Sequence, residues 1–226
     1  MIDARSLSKT VDAVNVAVFD RRPLAATERK RVARWIASRQ GLPGAYAGTF
    51  ATFAAEREKG IVVFTGERIT SASARHIVGE EACRALRLLR VRDRVVSAAL
   101  DRACHGLMRC LERAALDPRR TNPGLFCCGK CSVGLWRNLL SGSLDRREER
   151  LRRGAGHLRS MRDGNGQWRR FPFWYTVLAL SEMDAPEAFR ELKYAAPVLE
   201  RAAGSAAHGI YARRRHELAV RALGQI

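Results

Sequence analysis

Three of the six cysteines fall within five residues, in the run FCCGKCSVGLW from Phe126 to Trp136. A helix start just after Cys127 and Cys128, with Lys130 beside them, places partial positive charge where thiols become thiolates. Thiolates at this spacing support two chemistries. Cys127, Cys128 and Cys131 can ligate zinc or an iron–sulfur cluster, with a fourth ligand from Cys104, His105 or Cys110 on the preceding helix. Alternatively Cys128 and Cys131 form a CxxC that cycles between dithiol and disulfide or acts as a nucleophile. The same residues could also serve as small apolar side chains without special chemistry. A second CxxC is absent, as is the βαβ setting of a thioredoxin-like site.

Other reactive side chains are less organised. Cys83 lies in an apolar helical context and reads as core, and His76, His157, His208 and His216 have no companions at ligand spacing. Glu80 with Glu81, and Glu148 with Glu149, are adjacent on helices and diverge by about 100°. No nucleophile elbow, phosphate-binding loop or dinucleotide fingerprint occurs.

These residues sit in a chain of 226 residues with 46% hydrophobic residues, the size of one domain. Apolar positions recur with a period near 3.6 almost throughout, which predicts an all-α fold. Helices are expected from Thr27 as N-cap through Trp35 and Ile36, over 71–89, over 93–115, over 145–161, over 172–183, over 185–203 and over 205–223. Pro197 is expected to break or kink the segment that contains it. The stretch 61–65 reads as a short extended segment, and residues 1–25 as a loosely attached N-terminal helix. No apolar run approaches the roughly 20 residues of a membrane span, and the acidic N-terminus does not resemble a secretory signal, so a cytoplasmic location is expected.

The formal charge is +18, from 41 Lys and Arg against 23 Asp and Glu, and all but five of the cations are Arg. Two causes compete: anion recognition, and the Arg- and Ala-rich composition of a GC-rich genome. The arginines are dispersed, and pairs such as Glu149 with Arg153 have helical salt-bridge spacing. The concentrated patches are Arg146, Arg150, Arg153 and His157, then Arg213, Arg214 and Arg215, none interleaved with aromatic residues.

One turn recurs three times, as RQGLPGAY, RRTNPGLF and MRDGNGQW. Each has a Gly two before an aromatic residue (Gly44 and Tyr46, Gly124 and Phe126, Gly166 and Trp168) and a long polar side chain four before that Gly (Gln40, Arg120, Arg162). The aromatics are spaced by 80 and 42 residues, which suits stacked helical hairpins of about 40 residues. Over residues 29–183 this pattern resembles the α/α-toroid superfamily of terpenoid cyclases and prenyltransferase β subunits, whose repeats carry Gln, three residues, Gly, any residue, Trp.

The resemblance implies an arc or partial toroid of stacked hairpins, with the first turns of the following helices lining a cavity for a hydrophobic, isoprenoid-like small molecule. Phe50, Phe53, Trp136, Phe173, Trp174 and Tyr175 would then face the ligand, beside Cys127 and Cys128; as ordinary core filler they would not. The DxDD motif of the class II cyclases is absent, the Asp, Cys and His zinc set of the prenyltransferases is not matched, and the length accommodates four or five hairpins. The alternative reading is a basic helical-repeat module that binds nucleic acid or an acidic protein through Arg146, Arg150, Arg153 and Arg213–Arg215 without catalysis. A structural subunit that pairs with another chain or with its own copy is the third.

Overall fold

A computed structural model describes residues 1–117, 121–142 and 144–226. The described chain is all-α: α1 Leu7–Phe19, α2 Ala26–Ala37, α3 Ala54–Lys59, α4 Ser73–Leu89, α5 Arg94–Ala115, α6 Gly129–Ser141, α7 Arg147–Met161, α8 Phe173–Ser181, α9 Pro186–Ala203 and α10 Ile210–Leu223. Two short strands, β1 Ile61–Val62 and β2 Arg68–Ile69, pair antiparallel, so the extended segment expected at 61–65 is one arm of a hairpin.

The helix α4 is the axis of the fold, with α1, α2, α5 and α6 packed around it. Every residue from Ile77 to Leu86 is buried, including Glu80, Glu81 and Arg84. The sequence predicted one apolar stripe on this helix. A helix surrounded on all sides instead buries its polar positions too, and those must find partners inside the protein. The middle of the helical assembly is therefore filled by α4.

Several boundaries differ from expectation for local reasons. In α2 the cap position is Ala25, without a side-chain bond, and Thr27 lies inside the first turn. Asp93 does cap α5, accepting from the backbone N–H groups of Val95 and Val96. Pro197 lies within the continuous helix α9 and does not end it. The N-terminal helix is not loosely attached: Leu7 and Val14 are fully buried, Ser6 caps α1, and Ser6 Oγ donates to Glu56 Oε1 at 2.7 Å.

The recurring turns are built in two ways. Gly166 has φ +82°, the left-handed conformation that glycine adopts without strain, and Arg162 and Trp168 pair across that turn. Both of those side chains reach Glu191 on α9, Arg162 Nη2 at 2.9 Å and Trp168 Nε1 at 2.8 Å. Gly124 has no positive φ; it is needed because a Cβ there would collide with the backbone of Arg150 and Gly154 on α7. Gln40 bonds the Gly48 carbonyl at 2.9 Å, while Arg120 lies outside the described residues.

Candidate metal centre

The helices α4 and α6 run parallel and in register. Ser73 Oγ meets Cys128 Sγ at 3.6 Å and His76 Nδ1 meets Cys131 Sγ at 3.2 Å, both pairs 55 residues apart in the chain. Farther along, Glu81 meets Arg137 at a separation of 56 and Glu80 meets Asn138 at 58.

The loop entering α6 is fixed by Ser132. Its Oγ accepts from the Phe126 N–H at 2.9 Å and donates to the Cys128 carbonyl at 2.9 Å. Cys127 takes a left-handed backbone, φ +56°, and Cys128 occupies the N-cap position of α6. These constraints bring a ring nitrogen of His76 and the Sγ atoms of Cys127 and Cys131 within 4.8 Å of one another, a group that could hold a metal ion. Cys128 Sγ flanks it, 3.6 Å from Cys131 Sγ.

The electrostatics divide the thiols. The hydrogen bond it shares with Cys131, with backbone N–H groups of α6 and Ser73, holds the Cys128 thiol down to about 4 against the opposing effect of burial. The thiol of Cys131 is pushed up in turn, by that bond and by burial. Burial lowers the His76 pKa, so its neutral, metal-ligating form prevails near neutral pH. Tyr46 covers the imidazole with ring centroids 3.9 Å apart and bonds Cys110 Sγ at 2.7 Å through its hydroxyl.

The sequence placed the ligands only partly. Cys127, Cys128 and Cys131 are together, but Cys104 and His105 are held elsewhere on α5. Cys104 Sγ accepts from Arg87 Nη2 at 2.9 Å, and exposed His105 bonds the Asp101 carbonyl at 2.8 Å. The face that α5 buries carries Val96, Ala99, Ala103, Gly106, Leu107 and Leu111, which turns His105 outward. His76, read from the sequence as a histidine without companions, is the residue that joins the thiols. Its partner lies across a helix–helix contact, so sequence spacing carried no signal.

A cleft of about 980 Å³ opens beside Cys127 and Cys128. Leu125, Phe126, Met161 and Phe171 supply its apolar lining, and Lys130, Arg153, His157 and Arg170 its basic side chains. The six aromatics expected to face a ligand do not line this cleft. Phe50, Trp136 and Tyr175 are fully buried, with Trp136 Nε1 on the Gly124 carbonyl at 2.6 Å and Tyr175 Oη on Glu81 at 2.6 Å. Phe53 stacks on Trp35 at 6.3 Å, Phe173 stacks on Trp168 at 5.7 Å, and Trp174 meets Phe173 edge-on. They pack the helices together.

The proposed basic patches are largely engaged with the protein. Arg146 and Arg153 bond Glu149, and Arg150 bonds Asp145 and the Pro123 carbonyl. Arg214 bonds Asp12 and the Phe64 carbonyl, Arg215 bonds the Thr65 carbonyl, and Arg213 is exposed. No helix among the described residues is long and apolar enough to cross a membrane. No protein-family model, curated protein or solved structure matches the chain.

Proposed function

We propose that the protein holds zinc through His76, Cys127 and Cys131 and binds or transforms a hydrophobic small molecule in the adjoining cleft. The observation that carries this reading is the convergence of those three ligand atoms within 4.8 Å. A tetrahedral zinc site with Zn–S bonds of about 2.3 Å has sulfur–sulfur edges of about 3.8 Å. The corresponding nitrogen–sulfur edge is about 3.5 Å, and His76 Nδ1 stands 3.2 Å from Cys131 Sγ. An imidazole among thiolates suits zinc better than an iron–sulfur cluster, which generally takes four cysteines.

Three protein ligands leave one tetrahedral position for a polar group of the bound molecule, the arrangement of catalytic rather than closed structural zinc. Zinc bound there would act as a Lewis acid on such a group. The apolar lining of Leu125, Phe126, Met161 and Phe171 supports a hydrophobic body, and an isoprenoid is what the resemblance to the toroid superfamily implies.

Protein purified without oxygen or chelator should contain about one zinc per chain, and Cys131→Ser should lose it while Cys128→Ser keeps it. Less than about 0.3 metal per chain after zinc has been offered would overturn the metal assignment. For the ligand, a fluorescent farnesyl amphiphile should bind the zinc-loaded protein and lose at least about tenfold in affinity with Met161→Arg. Unchanged binding in that variant would remove the cleft from the account.

A second reading rests on a different place. Arg152, Arg153, Arg159 and Arg190 surround a groove of about 570 Å³ between α7 and α9, with Glu187 and Glu191 as its acidic members. Nucleic acid bound there would dissociate steeply with rising salt and weaken in Arg159→Ala; binding indifferent to salt would exclude it.

A further inference from the structure

The CxxC pair has a second use that does not need a metal ion. At the start of α6 the Sγ atoms of Cys128 and Cys131 stand 3.6 Å apart, in contact. The two sulfurs differ in access. Cys128 is exposed on the wall of the cleft, whereas Cys131 is 1% exposed behind it. An accessible thiol backed by a buried one is the arrangement of an attacking and a resolving sulfur. A base is in place as well, since His76 Nδ1 stands 3.2 Å from Cys131 Sγ. The cleft adds a charge preference. Lys130 on α6, Arg153 and His157 on α7, and Arg170 before α8 line it, and among the described residues no Asp or Glu does. Its volume of about 980 Å³ is at the upper end of small-molecule sites.

We propose that Cys128 and Cys131 carry out thiol–disulfide exchange with a small, carboxylate-bearing disulfide that enters this cleft. The Cys128 thiolate attacks one sulfur of the substrate, a new S–S bond forms as the old one breaks, and the first leaving thiolate takes up the proton that Cys128 released. Cys131 then gives its proton to His76 and attacks the Cys128 sulfur. The bond between Cys128 and the substrate sulfur breaks, and the second thiolate leaves with the proton from His76. Two protein thiols are oxidised to one disulfide, and one substrate disulfide is reduced to two thiols. The basic side chains of the cleft act in binding, as charge-assisted donors to the substrate carboxylates. One consequence rests on the metal assignment above: Cys131 in a disulfide is no longer a ligand, so oxidation expels zinc and bound zinc slows the exchange.

The test mixes reduced, full-length protein, with and without bound zinc, with glutathione disulfide, blocks the remaining thiols and maps peptides by mass spectrometry over time. In the metal-free sample a glutathione adduct on Cys128 should appear first and convert to a Cys128–Cys131 linked peptide, lighter by two hydrogens. Cys131→Ser should stop at the adduct. Measured against the rates of free cysteine, the protein should favour glutathione disulfide over cationic cystamine by at least about tenfold, and Lys130→Ala combined with Arg170→Ala should remove most of that preference. An adduct that forms first on another cysteine, a Cys131→Ser protein that clears its adduct as fast as the wild type, or equal preference for the two disulfides would overturn the proposal. Failure of the metal centre alone leaves the exchange intact in both samples, whereas failure of the exchange alone leaves zinc bound to a protein that glutathione disulfide does not oxidise.

Discussion

The same two helices, α4 and α6, carry opposite chemistry at their two ends. At the N-terminal end the side chains that meet are His76, Cys127, Cys128 and Cys131, with the thiols of Cys127 and Cys128 exposed beside a cleft. Two turns on, the side chains that meet are Glu81, Arg137, Arg84, Glu182 and Tyr175, nearly all sealed in the core. Burial pushes Glu81 up, and Arg137 and Arg84, with hydrogen bonds from Tyr175 and Asn15, overcome it and hold the carboxylate charged. There charge meets opposite charge and little ligand capacity is left over. At the thiol end, soft ligands meet one another, a set that a metal ion would complete. Both ends share one register of the two helices, with partners 55 residues apart at the thiol end and 56 apart at Glu81 and Arg137.

Breaking the ionic end should have the largest effect. Arg137→Ala would leave Glu81 charged and buried, and should cost about 3–5 kcal/mol in urea unfolding. A loss under about 1 kcal/mol would mean that Glu81 is not left charged and buried. Breaking the thiol end should leave the metal-free fold intact but remove the response to zinc. Zinc at about a thousandfold its dissociation constant should stabilise the wild type by about 4 kcal/mol, and His76→Ala or Cys131→Ser should abolish most of that gain in thermal melts.

Beside the ionic end lies Glu80, whose carboxyl burial pushes up to about 8, an effect reduced by the Asn138 bond. Its folded value lies above its unfolded one, so its stabilising contribution is present at acidic pH and is lost as pH rises through about 8. Between pH 7 and pH 9 the wild type should lose about 3–6 °C more in Tm than Glu80→Gln does. Parallel curves would show that Glu80 does not titrate in that range. The smallest effects concern the C-terminal arginines. Arg214→Ala, which unties Asp12 and the Phe64 carbonyl, should cost about 1–2 kcal/mol, and exposed Arg213→Ala less than about 0.5 kcal/mol.

What was legible in the sequence follows from the range of the interactions involved. Helical periodicity is local, so the all-α class and the segments around α4, α5, α7 and α8 could be read directly. The cysteine run is local too, and so is the backbone reversal at Gly166. The partner of Cys131 was hidden because His76 stands 55 residues away, on a helix whose register with α6 is set by packing. The same reason hid the Glu81 and Arg137 pair, since adjacent glutamates on a helix look like a solvated face until that helix is surrounded. The aromatic residues misled in the other direction. Trp136 and Tyr175 lie in segments that resemble cavity-lining repeats, but α4 occupies the space and they pack against it and its neighbours.

The central claim is that His76 and the Cys127/Cys131 thiols share one metal ion, and zinc K-edge X-ray absorption on the loaded protein tests it most directly. The account predicts a four-coordinate shell with two or three sulfur atoms at about 2.3 Å and a histidine nitrogen at about 2.0–2.1 Å, the nitrogen signal vanishing in His76→Ala. A shell of oxygen and nitrogen alone, or a histidine signal that survives that substitution, would contradict it.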